Sequence, residues 1–391
     1  MKNDTKLIHA FLKEKQQQHL YRKASISQSP QQPHMQINGS NILTFCSNDY
    51  LGLANHPKVL NAFKQAANKY GVGSGAAHLI NGHSIEHHKL EEELAEFTGR
   101  ERALLFSTGY MANLGVVNAL MERGDMIFAD RLNHASLIDA GLLSKAKMKR
   151  YAHSDTNALK MFYEKNTAEN SMILTDGVFS MDGDIAPVKQ LSKIATQQNA
   201  WLMVDDAHGF GTLGETGVGL LEQEKLNQRD VPILMATLGK ALGTSGAFVA
   251  GSKELIEFLI QSARTYTFTT AIPPSIAAAT RASLKIVSQE NEQREKLNQH
   301  INQFKQGASE LGITLMPSDT AIQPIMIGNT EQAIKISEQL RKSGILVTAI
   351  RPPTVPEDTA RLRVTFSAKH TEEDVDILLE TLNSFKAEFP T

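Results

Sequence analysis

The sequence predicts an α/β fold, with a large domain on a mostly parallel central sheet covered by helices and a smaller C-terminal α+β domain. Three observations carry this. Short apolar runs alternate with helical segments from Arg102 to Lys240, the pattern of repeated strand–helix–strand units. The 391 residues exceed what one hydrophobic core usually fills. Past Pro273-Pro274 the texture changes to a long charged helical stretch and then a second set of short strands.

Residues up to about Leu20 read as an amphipathic helix with Leu7, Ile8, Phe11 and Leu12 on one side. A polar, proline-containing stretch from Ser25 to Pro33 and a strand from Ile42 to Phe45 complete an N-terminal arm, residues 1–45. The large domain, residues 46–285, opens at Phe45-Cys46-Ser47-Asn48-Asp49-Tyr50-Leu51-Gly52. Gly71-Val72-Gly73-Ser74-Gly75 is a turn before a helix from about Ser84 to Phe97, which Gly99 stops. Strands then follow at Arg102–Phe106, Met126–Ala129, Met172–Thr175, Trp201–Val204 and Val231–Ala236. Helices at Gly109–Met121, Ala135–Leu143 and Pro187–Gln198 lie between them, the last with proline suitably near its start. The C-terminal domain, residues 286–391, continues a helical run from Ser275 to about Leu311. It carries strands at Pro324–Ile327, Ile345–Thr348 and Arg361–Thr365, and helices at Glu331–Ser343 and Glu372–Phe385.

Composition excludes several classes. A net charge of −2 gives no basic field to steer nucleic acid. The single cysteine, Cys46, permits no intrachain disulfide and no cysteine-rich metal site, and it fits a reducing cytoplasm. Met1 to Gln18 has no apolar core of a signal peptide, and no apolar run reaches the length of a membrane span. The glycines near Gly73 miss the G-x-G-x-x-G spacing, and Gly239-Lys240 is followed by Ala241, so dinucleotide and P-loop signals are absent. His83-Ser84-Ile85-Glu86-His87 matches H-x-x-E-H, but without an identifiable downstream glutamate it reads as a chance match, and no metal is expected.

The chemistry gathers at strand ends. Trp201 to Val204 terminates in Asp205, Asp206 and His208, and the next strand ends in Thr237 and Lys240. Carboxylates at the end of a buried strand are costly unless paired, and a lysine among small residues there is readily desolvated into a nucleophile. A buried Asp205–Lys240 ion pair is the plain alternative. Ser107-Thr108-Gly109-Tyr110 turns a strand into a helix whose first amides suit a phosphate. Asn133-His134-Ala135-Ser136 and Asp176 to Gly183 occupy equivalent turns. Singly, each residue has an ordinary structural role; jointly they match pyridoxal phosphate. Lys240 would carry the Schiff base, Asp205 would face the ring nitrogen, and His134 would stack on the ring. His208 and Ser180 would reach the phenolic oxygen, and Thr237 with Gly109 and Tyr110 would hold the phosphate.

The runs Asp176-Gly-Val-Phe-Ser-Met-Asp-Gly-Asp184, Val204-Asp-Asp-Ala-His-Gly209 and Thr237-Leu-Gly-Lys240 closely resemble the α-oxoamine synthases, over nearly the whole chain. That resemblance implies an aspartate-aminotransferase-like fold of type I, a homodimer, and Phe268-Thr269-Thr270 reaching the partner's phosphate site. Within the family, Ile350-Arg351-Pro352-Pro353 resembles the branch that condenses L-alanine with a pimeloyl thioester of coenzyme A or acyl carrier protein during biotin synthesis. Glycine-using relatives, such as 2-amino-3-ketobutyrate CoA ligase, generally lack this form. Carried over, Arg351 would clamp the amino-acid carboxylate, Thr354 and Arg22 would line the substrate site, and Asn48 and Ser74 would form its wall. Ala76-Ala77-His78 departs from the arginine or glycine-serine pair that many relatives carry after Gly75.

Overall fold

The structure, a computed structural model, describes residues 5–389 apart from 19 and 167. The start of the predicted N-terminal segment, residues 1–4, lies outside the described residues. Helix α1 (Thr5–Gln17) buries none of its residues. Strands β1 (His34–Ile37) and β2 (Ser40–Thr44) pair antiparallel around a tight turn at Asn38-Gly39. Helices α2 (Pro57–Tyr70) and α3 (Ile85–Phe97) follow.

The central sheet comprises β3 (Arg102–Phe106), β4 (Met126–Asp130), β5 (Lys147–Tyr151), β6 (Ser171–Asp176), β7 (Trp201–Asp205), β8 (Ile233–Thr237) and β9 (Ala247–Gly251), in the order β3-β9-β8-β7-β6-β4-β5. The ladders from β8 through β7, β6 and β4 to β5 are parallel, whereas β9 runs antiparallel to both its neighbours, β3 and β8. Its faces are covered by α4 (Gly109–Leu120), α5 (Ala135–Leu143), α6 (Thr156–Lys165), α7 (Val188–Gln197), α8 (Leu220–Gln223), α9 (Lys253–Ser262) and α10 (Arg264–Thr267). Alternation decides which face each side chain joins. Met172, Leu174 and Met203 pack with the cluster holding Ala112, Val116 and Leu137, whereas Ile173, Leu202 and Val204 pack with that of Val188, Leu191 and Ile194. Both faces are therefore apolar, and each strand reads as an unbroken apolar run.

The structure corrects three sequence boundaries. The strand read as Val231–Ala236 begins after Pro232 and extends to Thr237, since proline brings no N–H to the ladder. The long helical stretch is two helices, α11 (Pro274–Gln289) and α12 (Glu292–Glu310), broken where Glu290 adopts an extended backbone. The strand read as Ile345–Thr348 serves two sheets. After β10 (Ile322–Gly328) and α13 (Thr330–Lys342), β11 (Ile345–Leu346) pairs parallel with β2. β12 (Thr348–Ile350) instead pairs antiparallel with β13 (Ala360–Thr365), which also pairs with β10. Helix α14 (Glu372–Ser384) packs on α12, and one apolar cluster runs from Phe45 and Leu51 through Phe304 to Leu382.

The loop after β6 is clamped from two sides. Gly183, at φ +73°, approaches β10 so closely that a Cβ would stand 2.4 Å from the Ile322 carbonyl, so only glycine fits. Its own carbonyl accepts bonds from Ser318 and Thr320, both at 3.0 Å. Asp182 forms a buried ion pair with Arg361 of β13. On the other side His153 bridges Asp130 of β4 at 3.0 Å and Asp184 at 2.8 Å.

Burial opposes charge on His153, but the bonds to Asp130 and Asp184 outweigh it and raise its pKa from 6.5 to about 9. The imidazolium's contribution is therefore fully present below pH 6.5 and fades as pH rises through about 9. His153→Ala should lose on the order of 2–3 kcal/mol near pH 6. Denaturant titrations should show the gap to the unaltered chain narrowing between pH 6.5 and about 9; a gap constant from pH 6 to pH 10 would refute the bridge.

Candidate active site

Strands β6, β7 and β8 all end at one edge of the sheet, where open α/β folds leave a crevice. A cavity of about 190 Å³ opens there. Its lining includes Gly109, Tyr110, His134, Ser180, Asp205, His208, Thr237 and Lys240, every residue that the sequence analysis named for the cofactor.

Asp205 closes β7 and faces Asp176 directly across the ladder. Asn113, fully buried on α4, donates to Asp205 Oδ2 at 2.8 Å and to Ser136 Oγ at 2.8 Å. The Ala207 N–H holds the other Asp205 oxygen at 3.1 Å. Asp176 accepts the His134 N–H at 2.9 Å, and its Oδ1 is buried without a partner among the described residues. Burial pushes the Asp176 carboxyl well above the usual range, the adjacent Asp205 adds to this, and the His134 N–H only partly opposes it. Two carboxyl groups this close disfavour each other's charged form. Asp206 turns away to accept the Leu220 N–H at 2.7 Å, and so belongs to the scaffold.

His134 caps α5, its Nδ1 accepting the Ser136 N–H at 3.2 Å, which leaves the proton on Nε2. Burial lowers its pKa, so the ring is neutral. His208 lies between Tyr50 Oη at 2.5 Å and Lys240 Nζ at 2.8 Å. One orientation satisfies the whole chain: Lys240 donates to Nε2, Nδ1–H donates to Tyr50, and Tyr50 donates to Asn48 Oδ1 at 3.2 Å. Arg363 adds a bond to the same Asn48 oxygen at 3.3 Å and reaches the Ser180 carbonyl at 2.6 Å. Burial, then the Lys240 charge, keeps His208 neutral. Burial also lowers Lys240 to about 8, against the opposing pull of Asp205 and Asp176.

Helix α4 begins at this cavity. Thr108 caps it by accepting the Met111 N–H at 3.1 Å, and the amides of Gly109 and Tyr110 head the helix as an anion cradle. The Thr237 hydroxyl donates to the Gly246 carbonyl at 3.0 Å, and Tyr110 donates to the Asp139 carboxylate. The donor set fits pyridoxal phosphate: a lysine amine near its neutral form, a fixed buried carboxylate, an uncharged imidazole and a helix N-terminus meet around one cavity.

The substrate residues named from sequence do not all gather here. Arg22, Arg351 and Thr354 line a separate cavity of about 630 Å³, together with Phe11 and Leu12 of α1. Asn48 joins the site through Tyr50 and Arg363. The Ser74 hydroxyl is bonded to the Ile272 carbonyl at 2.6 Å, and the residue lines neither cavity.

A family model for class I and II aminotransferases matches residues 40–382. An 8-amino-7-oxononanoate synthase from Saccharophagus degradans is 59% identical over 364 residues, covering 93% of this chain and 92% of that protein. The chain belongs to this family, within the class I and II aminotransferases. The 8-amino-7-oxononanoate synthase of Cellvibrio japonicus is 57% identical over 381 residues, covering 96% of each chain. A solved 8-amino-7-oxononanoate synthase from Francisella tularensis superposes with a TM-score of 0.77 at 34% identity, covering 88% of this chain and 97% of that one. A serine palmitoyltransferase from Sphingomonas wittichii superposes at 0.92 with 30% identity, covering 98% of each chain. The S. paucimobilis enzyme, solved with bound pyridoxal phosphate, superposes at 0.91 with 29% identity and 96% coverage of each chain.

Sequence reasoning left Asn113, Ser136, Tyr50 and Arg363 without roles. Asn113 could have been found as a polar residue on the apolar face of α4; the others are brought in by contacts that no local pattern announces.

The Lys240 amine should react as a group of pKa about 8 in the cofactor-free protein. Reductive methylation followed by peptide mass analysis should give a half-maximal rate near pH 8, about two units below ordinary lysines. Asp205→Asn removes the carboxylate that holds the value up, so its profile should move lower still. A midpoint near that of surface lysines would overturn the reading.

Proposed function

We propose that the chain catalyses the pyridoxal phosphate-dependent decarboxylative condensation of L-alanine with a pimeloyl thioester. The products are 8-amino-7-oxononanoate, carbon dioxide and the free thiol of the carrier, in biotin synthesis. The observation that carries this reading is the meeting of Lys240, Asp205, His134 and His208 at one cavity, in a chain 59% identical to an 8-amino-7-oxononanoate synthase. When bound, the cofactor supplies an electron sink for the carbanion at the alanine α-carbon.

The chain's own groups do the rest. Lys240 would tether the cofactor, and its amine, when free, would remove and later return the proton at the alanine α-carbon. Asp205, fixed by Asn113, holds a proton at the ring nitrogen, and this counts in the carbanion-like transition state more than in the ground state. The neutral His134 would hold the ring in place, with its Nε2–H available to the oxygens of the acyl and carboxylate groups. The Gly109 and Tyr110 amides hold the phosphate.

Two arginines are candidates for the alanine carboxylate. The family resemblance assigns Arg351. The geometry favours Arg363, whose guanidinium is bonded to Ser180 and Asn48 and whose charge acts on both His208 and Lys240. Arg351 shares its cavity with Arg22 and the apolar side of α1, which suits the acid-terminated acyl chain. The acting unit in this reading is a cytoplasmic homodimer, to which Phe268, 71% exposed beside Thr269 and Thr270, lends an apolar contact.

Purified protein should show the yellow absorbance of a lysine-bound cofactor, and Lys240→Ala should abolish both the borohydride-fixed adduct and turnover. A colourless protein that takes up no pyridoxal phosphate would end the proposal. Alanine should support condensation better than glycine; the reverse preference would make it a glycine-using ligase. Arg363→Ala should raise the KM for alanine by about 10- to 150-fold, the worth of bonds to a charged group, with little change for the acyl donor. Arg351→Ala should do the opposite, and an exchanged pattern would return the carboxylate to Arg351.

A further inference from the structure

The H-x-x-E-H match at the start of α3 takes another form in the folded chain. Five side chains meet there: His78 and His83 from the loop before α3, and His87, His88 and Glu91 from the helix itself. None lines the cavity of the active site.

His87 is excluded as a ligand by its own bonds. Its Nδ1 accepts the Ser84 N–H at 3.0 Å, so Nε2 carries the proton, which it donates to the Ile272 carbonyl at 2.7 Å. His83, His88 and Glu91 remain, each offering one ligand atom within 4.8 Å of the others. His88 and Glu91 are three residues apart and share a face of α3. Glu91 is oriented by the Leu105 N–H, which its Oε1 accepts at 3.0 Å. Its Oε2 stands 4.0 Å from His83 Nε2. That gap exceeds a hydrogen bond and is wider than the roughly 3.4 Å between two ligands of a tetrahedral zinc, so a modest inward movement of the half-buried His83 would bring both onto one ion. Behind His83, the Nδ1 of His78 lies 2.9 Å from the Nδ1 of His83, and the His78 ring stacks on Tyr266. With the shared proton on His83 Nδ1, the Nε2 lone pair faces Glu91, the arrangement in which a metal-binding imidazole is held by its second nitrogen.

We propose that His83, His88 and Glu91 bind a divalent transition-metal ion of the zinc type, with His78 fixing the His83 ring from behind. Water completes the coordination, because His88 is exposed and the site is open on that side. The bound ion would pin the 71–84 loop to α3, and through Tyr266 it would steady the turn that carries Phe268.

The test uses chelator-treated holoenzyme titrated with Zn²⁺ by calorimetry, and with Co²⁺ followed by its visible absorption. The expected result is one ion per chain, with His88→Ala and Glu91→Gln each weakening binding by about tenfold or more and leaving basal turnover unchanged. His88→Ala removes an exposed side chain, so a folding defect would not mask its result. No saturable binding up to millimolar Zn²⁺ would overturn the proposal. So would binding of equal strength in both variants, which would mean an adventitious ion or ligation by the bound cofactor.

Discussion

The arrangement depends on two carboxyl groups buried side by side. Asp176 and Asp205 end adjacent parallel strands in register, and both are buried. Burial and the neighbouring Asp205 push the Asp176 carboxyl well above the usual range, while Asp205 takes bonds from Asn113 and Ala207. The neighbours are set by that pair. Asp176 is free to orient the His134 backbone, His134 can remain neutral, and the Asp205 charge holds Lys240 at about 8 instead of letting burial depress it further.

Much of this was legible because parallel sheets buried on both faces write their strands as apolar runs. A polar residue directly after such a run has few reasons to be there, which is how Asp205, His134, Thr237 and Lys240 stood out. The family resemblance then supplied a shared purpose. What stayed hidden was set by long-range contact. Asn113 meets Asp205 across 92 residues, and Arg363 meets Asn48 across 315. The direction of β9 was equally invisible, since Ala247–Gly251 is an apolar run that would read the same in either orientation. Pro232 did carry a signal, its missing N–H, that should have moved the start of β8.

The C-terminal strands act on the loop after β6 at close range. Arg361 and Arg363, two residues apart on β13, reach the same loop after β6, one through Asp182 and the other through the Ser180 carbonyl. With Gly183 pressed against β10 and His153 holding Asp184 from behind, Ser180 has little freedom to leave the cavity. Rigidity here comes from charge pairs and one glycine, added to the burial of Val178 and Phe179 in the loop itself.

The extended run from Ile345 to Ile350 crosses between two sheets within a single residue, Val347, which is fully buried. Its first half is indexed to the N-terminal arm and its second half to β13, so the spacing between them works as a ruler. Adding or removing one residue there would force either a bulge or a one-residue slip of one ladder, and a slip would invert its side-chain alternation and send Arg351 to the opposite side of its cavity. Length, more than identity, is the inherited quantity at Val347. Substitutions there face the usual packing limits of a core, while insertions and deletions face a geometric parity that no change in side chain can repair.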